Sequence, residues 1–437
     1  MNKKSNVVAI VTMFFLFAMI AFVTNLAAPF GNIWGYKYSW AGMMGNMMNF
    51  AAYLFMGIPA GRMLATVGYK KTSLIALGVG FVGLLVQYIS SVVGADVAVF
   101  TVNGQIVALN LVIYLLGAFV SGFCVCMLNT VVNPMLNTLG GGGNKGNQLV
   151  QTGGSLNSLT ATLTPFLVGV LVGTVNESTS MNDVTPLLFI GMGVFVVAFI
   201  IISRVNVPEP AMERARAEAA SGQPKVKDQY SAWSFRHFVL GAIAIFFYVG
   251  IEVGIPYELN FYLSQPAENG GIGFEGSAVI AGALSSLYFL LMLIGRVVSG
   301  AISGVVSTRT QLVSVSSLAI VLLVVSIVLP DSITMTYKGG LIPVKCLLIA
   351  LCGICTSVMW GAIFNLCVEG LGKYTEQASG IFMMLVCGGG IMPLIQNNAL
   401  VPAVGYIQSY WLVIAMLLYL LYYALWGCKN VNKNIPV

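Results

Sequence analysis

Apolar runs of about twenty residues, each long enough to cross the hydrocarbon layer of a bilayer as a helix, recur along the whole 437-residue chain. They fall near 7–30, 41–64, 72–93, 106–136, 148–173 and 186–204, and again near 237–263, 277–305, 311–330, 342–368, 375–398 and 404–427. Inside lipid every backbone N–H and C=O must be satisfied within the protein, and for runs of this length that means helix. Charged residues make up 8% of the chain and hydrophobic residues 58%, against about 25% charged in soluble domains, which excludes a soluble fold. The expectation is an all-α membrane protein of twelve transmembrane helices in two six-helix bundles. The first bundle spans 1–204, a polar linker 205–236 and the second bundle 237–437.

Lys3 and Lys4 precede the first run as they would in a signal peptide, and Leu26-Ala27-Ala28 resembles a cleavage site, but the apolar core is too long. It is expected to stay as the first helix. The linker carries Glu209, Glu213, Arg214, Arg216, Glu218, Lys225, Lys227 and Asp228, with helix expected near 211–220. Lys3, Lys4, Lys70, Lys71, Lys145, the linker, Arg309, Lys373, Lys429 and Lys433 all fall on one side of this topology, which the positive-inside rule makes cytoplasmic. The opposite loops hold Lys37, Lys338 and Lys345 against Asp96, Glu177, Asp183, Glu268, Glu275 and Asp331. Both termini are therefore expected in the cytoplasm, with the chain in a bacterial inner membrane. The net charge of +6 is a topology signal rather than a nucleic-acid patch, and no nucleic-acid partner is expected.

Several chemistries lack their residues. The one CxxC, Cys352 to Cys355, lies within an apolar run without His or Cys at zinc spacing, and buried Cys ordinarily behaves as a small hydrophobe. His237 is the only histidine, so no histidine-based metal or catalytic site can form. The tract GGGGNKGN at 140–147 has no Ser or Thr after its Gly-Lys equivalent and follows no strand, so it is a turn rather than a phosphate loop. No metal, cofactor or enzymatic role is expected.

Against this apolar background the polar residues inside the runs stand out. Glu252 lies well within the run that starts near Phe238, and an ionised acid at the bilayer centre costs roughly 2.5–3.5 kcal/mol on insertion scales, so it should face water or a partner. Gly250, Gly254 and Pro256 around it loosen the helix. Asn46, Asn49 and Tyr53 share one helix face, Asn129 and Asn133 are an i, i+4 pair before Pro134, and Gln151, Ser155, Ser158 and Thr162 form a polar stripe. Asn25, Tyr248, Asn260, Trp360, Asn365, Gln396 and Asn397 add further polar positions. Each amide alone is as well explained as interhelical glue worth about 0.6 kcal/mol. Together with the flat face of Trp360 the set describes a neutral polar ligand, and the contacts expected are Asn25, Asn46, Asn129, Asn133, Gln151, Glu252, Trp360 and Asn365. Arg296 is expected to snorkel or to lock the halves together.

The two halves repeat faintly. Lys145 and Lys373 follow Gly-rich turns, and Pro165 and Pro393 lie in the next helix, both pairs at an offset of 228 residues. Parallel repeats of this kind are a transporter architecture with the substrate held near the midplane.

Five stretches make the chain recognisable: FVTNLAAPF at 22–30, AAYLFMGIPAGRMLATVGYKK at 51–71, MLNTVVNPMLNTLG at 127–140, FFYVGIEVGIPYELNFYL at 246–263 and FNLCVEGLGKYTEQASGIFMMLVCGGGIMPLI at 364–395. They resemble the fucose/glucose/galactose permease branch of the major facilitator superfamily along nearly the whole chain. The resemblance implies the fold of that superfamily and a rocker-type carrier of monosaccharides, usually driven by protons. In the fucose permease pattern an Asp in helix 1 and a Glu in helix 4 are associated with coupling or binding; those positions read Ala28 and Asn129 here. The sugar-facing Gln matches Gln151, while Gly154 stands at the neighbouring Asn position.

The functional expectation is therefore uptake of a neutral hexose or deoxyhexose by alternating access, by a monomer, with a proton or sodium as coupling ion. The first half has only Asp96, Glu177 and Asp183 as acids, all in expected loops, which leaves Glu252 as the coupling carboxylate, with Glu258 nearer the outer surface. The alternatives are an uncoupled facilitator and, from another class, a non-transporting sugar sensor; an exporter of apolar drugs would not need so many amides.

Overall fold

The apolar runs fold mostly as helices. The computed structural model describes residues 3–437 apart from 39, 103, 173–178, 211, 215, 217–228, 266, 275–276 and 338. The charges Glu177, Glu218, Lys225, Lys227, Asp228, Glu275 and Lys338, and most of the helix expected at 211–220, lie outside the described residues.

The helices before the linker are α1 Lys3–Asn25, α2 Ala27–Lys37, α3 Met44–Thr66, α4 Gly68–Val92, α5 Leu109–Leu139, α6 Gly143–Leu171 and α7 Thr185–Arg204. After it come α8 Arg236–Ser264, α9 Ser277–Ile302, α10 Thr308–Val328, α11 Val344–Val368, α12 Thr375–Met384, α13 Gly388–Ile395 and α14 Tyr406–Tyr422. Ten helical stretches among the described residues are long and apolar enough to cross a membrane. Helices α3 (23 residues) and α6 (29 residues) are as long as the others but more polar, because they carry Asn46 and Asn49 and the Gln151 to Thr162 stripe.

Two segments depart from the sequence expectation. Residues 106–108 and 342–343, expected as the first turns of helices, are strand instead. Strand β1 Ala98–Val102 pairs antiparallel with β2 Gln105–Ala108, and β3 Thr334–Tyr337 with β4 Gly340–Pro343. Gly104 (φ 77°) and Gly339 (φ 83°) occupy the left-handed region that such tight hairpins require. The signal was present: Asn103-Gly104 flanked by alternating apolar residues is a strong hairpin pattern, but a window of twenty averages it into the neighbouring run. Each half thus has a hairpin immediately before a long helix, α5 in the first and α11 in the second. The run at 375–398 is also interrupted, by a 3-10 turn at Leu385–Cys387 and a π turn at Gln396–Leu400 that follows Pro393.

The chain forms two compact units. One comprises Met1–Leu139, Leu159–Ser231 and Lys373–Met384; the other comprises Gly140–Ser158, Ala232–Gly372 and Leu385–Val437. In the first, α12 lies against α3 with almost no side chain between them. A Cβ on Gly57 would stand 2.6 Å from Gly380 O, and one on Gly61 2.8 Å from Gly380 Cα. Small residues let helices approach this closely where lipid provides no hydrophobic drive for association. The linker is tied to the same unit: Glu209 accepts the backbone N–H groups of Tyr69 (2.6 Å) and Lys70 (2.9 Å) at the start of α4, and Arg214 pairs with Glu376 of α12. A carboxylate there satisfies two orphan donors and meets the positive end of the helix dipole. In the second unit α8 packs against α9, α11, α13 and α14.

Candidate functional site

Helix α8 carries Gly250, Gly254 and Pro256 in its interior. Pro256 has no N–H, so the carbonyl of Glu252 four residues earlier loses its helical partner. The hydroxyl of Tyr288 on α9 donates to that carbonyl at 3.3 Å and lies 2.8 Å from Thr356 Oγ1 of α11. Two turns along α9 from Tyr288, Arg296 Nη2 donates to Glu252 Oε1 at 3.2 Å. One helix therefore holds Glu252 by both its carbonyl and its carboxylate.

Three further hydrogen bonds of Arg296 stay within the same unit. Nη1 donates to Ser158 Oγ (2.7 Å) and Gly154 O (3.0 Å), and Nε to Ser357 O (3.4 Å). The Arg296 side chain is 9% exposed and that of Glu252 20%. A guanidinium this deep is tolerable because its fork finds four acceptors, one of them a carboxyl group. Of the two alternatives expected for Arg296, snorkelling does not hold: the side chain turns inward, where it hydrogen-bonds residues from the first and second halves of the sequence. Its position within an apolar helix, in Ile-Gly-Arg-Val-Val, was the available signal.

Gln151 lies one turn of α6 before Gly154 and Ser155. Its Nε2 donates to Val358 O at 2.7 Å, and it packs on Gly361, where a Cβ would stand 2.8 Å from Nε2. Trp360 lies between these two positions on α11, half-buried, with its ring edge-on to Tyr248 at 6.3 Å. Asn365 is buried and donates to Thr308 Oγ1 at 3.4 Å. Beside this group a cavity of about 230 Å³ is lined by Gln148, Thr152 and Ser155 of α6 and by Arg296 and Gly300 of α9. That is below the roughly 300–1,000 Å³ of enclosed small-molecule pockets.

The other four expected contacts belong to the first unit. Asn129 Nδ2 donates to Tyr53 OH at 2.9 Å, and Asn133 Nδ2 to Asn129 O at 2.9 Å. Asn25 Nδ2 bonds within its own helix to Ala21 O at 2.8 Å. Asn46 is half-buried and its amide makes no hydrogen bond among the described residues. The structure thus places Gln151, Glu252, Trp360 and Asn365 in one unit, where Glu252 pairs with Arg296, and Asn25, Asn46, Asn129 and Asn133 in the other, where Asn129 bonds to Tyr53. Sequence reasoning missed Tyr288, whose role depends on the proline-freed carbonyl across the helix interface.

A sequence profile decides the family: that of the Major Facilitator Superfamily matches residues 8–393. The chain belongs to this superfamily. Its members are membrane transporters, so the chain is a transporter and not an enzyme. Among curated superfamily relatives it is 28% identical over 426 residues to the glucose/galactose transporter of Brucella abortus (strain 9-941), covering 96% of this chain and 93% of that protein. It is 26% identical over 461 residues to the putative glucose/galactose transporter of Helicobacter pylori (strain ATCC 700392 / 26695), covering 99% and 100%. Among solved structures it resembles the Escherichia coli fucose:proton symporter (TM-score 0.73, 17% identity, 96% and 98% coverage). It also resembles a proton:xylose symporter (TM-score 0.74, 10% identity, 98% and 97% coverage). At these identities the two structures establish the superfamily fold.

Proposed function

We propose that the chain takes up a neutral monosaccharide, a hexose or deoxyhexose such as glucose, galactose or fucose, by alternating access as a cation-coupled symporter. Near-full-length similarity to the Brucella abortus protein named a glucose/galactose transporter carries this reading. It includes twelve membrane-spanning helices, with α3 and α6 crossing despite their polar stripes, in six-helix bundles over 1–204 and 237–437. Both termini face the cytoplasm of a bacterial inner membrane, and the carrier works as a monomer. The substrate contacts are Asn25, Asn46, Asn129, Asn133, Gln151, Glu252, Trp360 and Asn365. Counterflow in proteoliposomes tests the reading, since a sensor binds labelled sugar without exchanging it. Gln151→Ala and Asn46→Ala should each weaken sugar affinity by about 5–150-fold, the equivalent of roughly 1–3 kcal/mol for a lost partner of a buried hydroxyl. Affinities within a factor of about two of the parent would make these amides interhelical glue.

Glu252 is the coupling carboxylate on this reading. Arg296 Nη2 donates to its carboxyl in the arrangement described, and a proton on Glu252 competes with that pairing. Glu252→Gln should keep sugar exchange and lose accumulation driven by a pH gradient. The uncoupled facilitator has one observation in its favour: Ala28 and Asn129 stand where the fucose permease pattern has acids. Accumulation in liposomes under imposed proton and sodium gradients separates the two.

A further inference from the structure

Glu258 is a second acid on α8 that the transport reading does not use. It lies six residues beyond Glu252, which turns it about 240° around the helix axis and away from Arg296. It is 0% exposed, and neither carboxyl oxygen has a hydrogen-bond partner among the described residues. Glu258 also takes part in none of the ion pairs among the described residues.

Its titratable neighbours are tyrosines: Tyr257 on its own helix, and Tyr406 and Tyr410 one turn apart on α14. The Tyr410 hydroxyl already donates to Ile255 O at 2.9 Å. On α9 the titratable groups are Tyr288 and Arg296, both engaged with Glu252, and α13 has none. On α11, Lys345 pairs with Asp331, whereas Cys346 and Cys352 lie around Tyr410. An ionised Glu258 would therefore be an uncompensated charge in an apolar interior, the arrangement that proteins avoid by neutralising the group. No group of three or more acidic, Cys or His side chains suited to a metal ion occurs among the described residues.

We propose that Glu258 is a second proton-binding site, separate from the Glu252–Arg296 pair, which holds its proton as the neutral acid while α8 is packed on α14. The proton then acts as a ligand of the packed form. Rising pH opposes the packing, because deprotonation leaves the charge without a partner.

Infrared spectra of the purified protein in nanodiscs at neutral pH test this directly. The carbonyl stretch of a protonated carboxyl is expected in the wild type and in Glu252→Gln, and its loss in Glu258→Gln. In thermal melts the wild type should lose stability from neutral to alkaline pH more steeply than Glu258→Gln, which carries a permanent neutral mimic. If Glu258→Gln does not fold, the wild-type and Glu252→Gln spectra, titrated with pH, carry the reading. Absence of the band from the wild type, or parallel alkaline melts, overturns the proposal. So does stabilisation by sodium chloride over potassium chloride that vanishes in Glu258→Gln, which would make the site one for a metal ion. Neither readout involves sugar, so both stand or fall apart from the transport reading. Glu258→Gln should also keep the gradient-driven accumulation that Glu252→Gln loses; the reverse result would make Glu258 the coupling group and overturn the separation of the two sites.

Discussion

Arg296→Met is expected to destabilise the purified carrier by about 3 kcal/mol, the lower end of the range for breaking one partner out of a buried ion pair. The lower end applies because the Glu252 side chain keeps a fifth of its surface open and can be partly rehydrated. The methionine fills most of the arginine's volume, so the loss comes from the stranded carboxylate and from the orphaned Ser158 and Gly154 acceptors. Adding Glu252→Gln to Arg296→Met should restore most of the loss, because removing both charges together leaves only neutral groups. Thermal melts of the four proteins form a double-mutant cycle. Additive effects would mean that the two charges do not interact.

Gly380→Val should abolish transport by forcing α12 off α3. Its Cβ would stand 2.6 Å from Gly57 O and 2.7 Å from Gly61 Cα, and backbone atoms on both sides leave nothing flexible to yield. Overpacking of this kind costs about 1–3 kcal/mol and occasionally more, which is enough to lose the contact while the helices themselves persist. A cysteine placed at Ala60, which is 0% exposed on α3, reports the separation. Maleimide should label it in Gly380→Val and spare it in the parent, against a low background, since all eight native cysteines are buried. Equal labelling in both would show that the two helices tolerate the extra side chain.

The membrane character, the helices and the outlying position of Glu252 were legible in the sequence because each rests on local hydropathy. The hairpins were not read, since four or five strand residues beside a long apolar run do not change its average, although Asn103-Gly104 marked the first of them. Which amides bond to a neighbouring helix was not legible either. Asn46 and Asn49 lie on one turn of α3, yet Asn49 is buried and Asn46 half-buried, a difference set by how the helix is rotated against its neighbours. The same holds for Arg296: its spacing placed it inside a helix, but only the distant Gly154 and Ser158 explain why it turns inward. Glu258 was noticed only as a nearby acid. Its isolation depends on Tyr406 and Tyr410, which arrive from the far end of the chain.

The double hold of α9 on Glu252 has a mechanical consequence. Tyr288 and Arg296 are eight residues apart, about 12 Å along the helix, and they grip the same residue at different atoms. Only the carboxylate grip depends on charge. A proton on the carboxylate would remove the charge from the Arg296 contact, while the Tyr288 hydrogen bond to the carbonyl, which Pro256 leaves without a helical partner, would be unaffected. Loss of that one charge would therefore release one of the two points at which α9 grips α8 and leave the other in place.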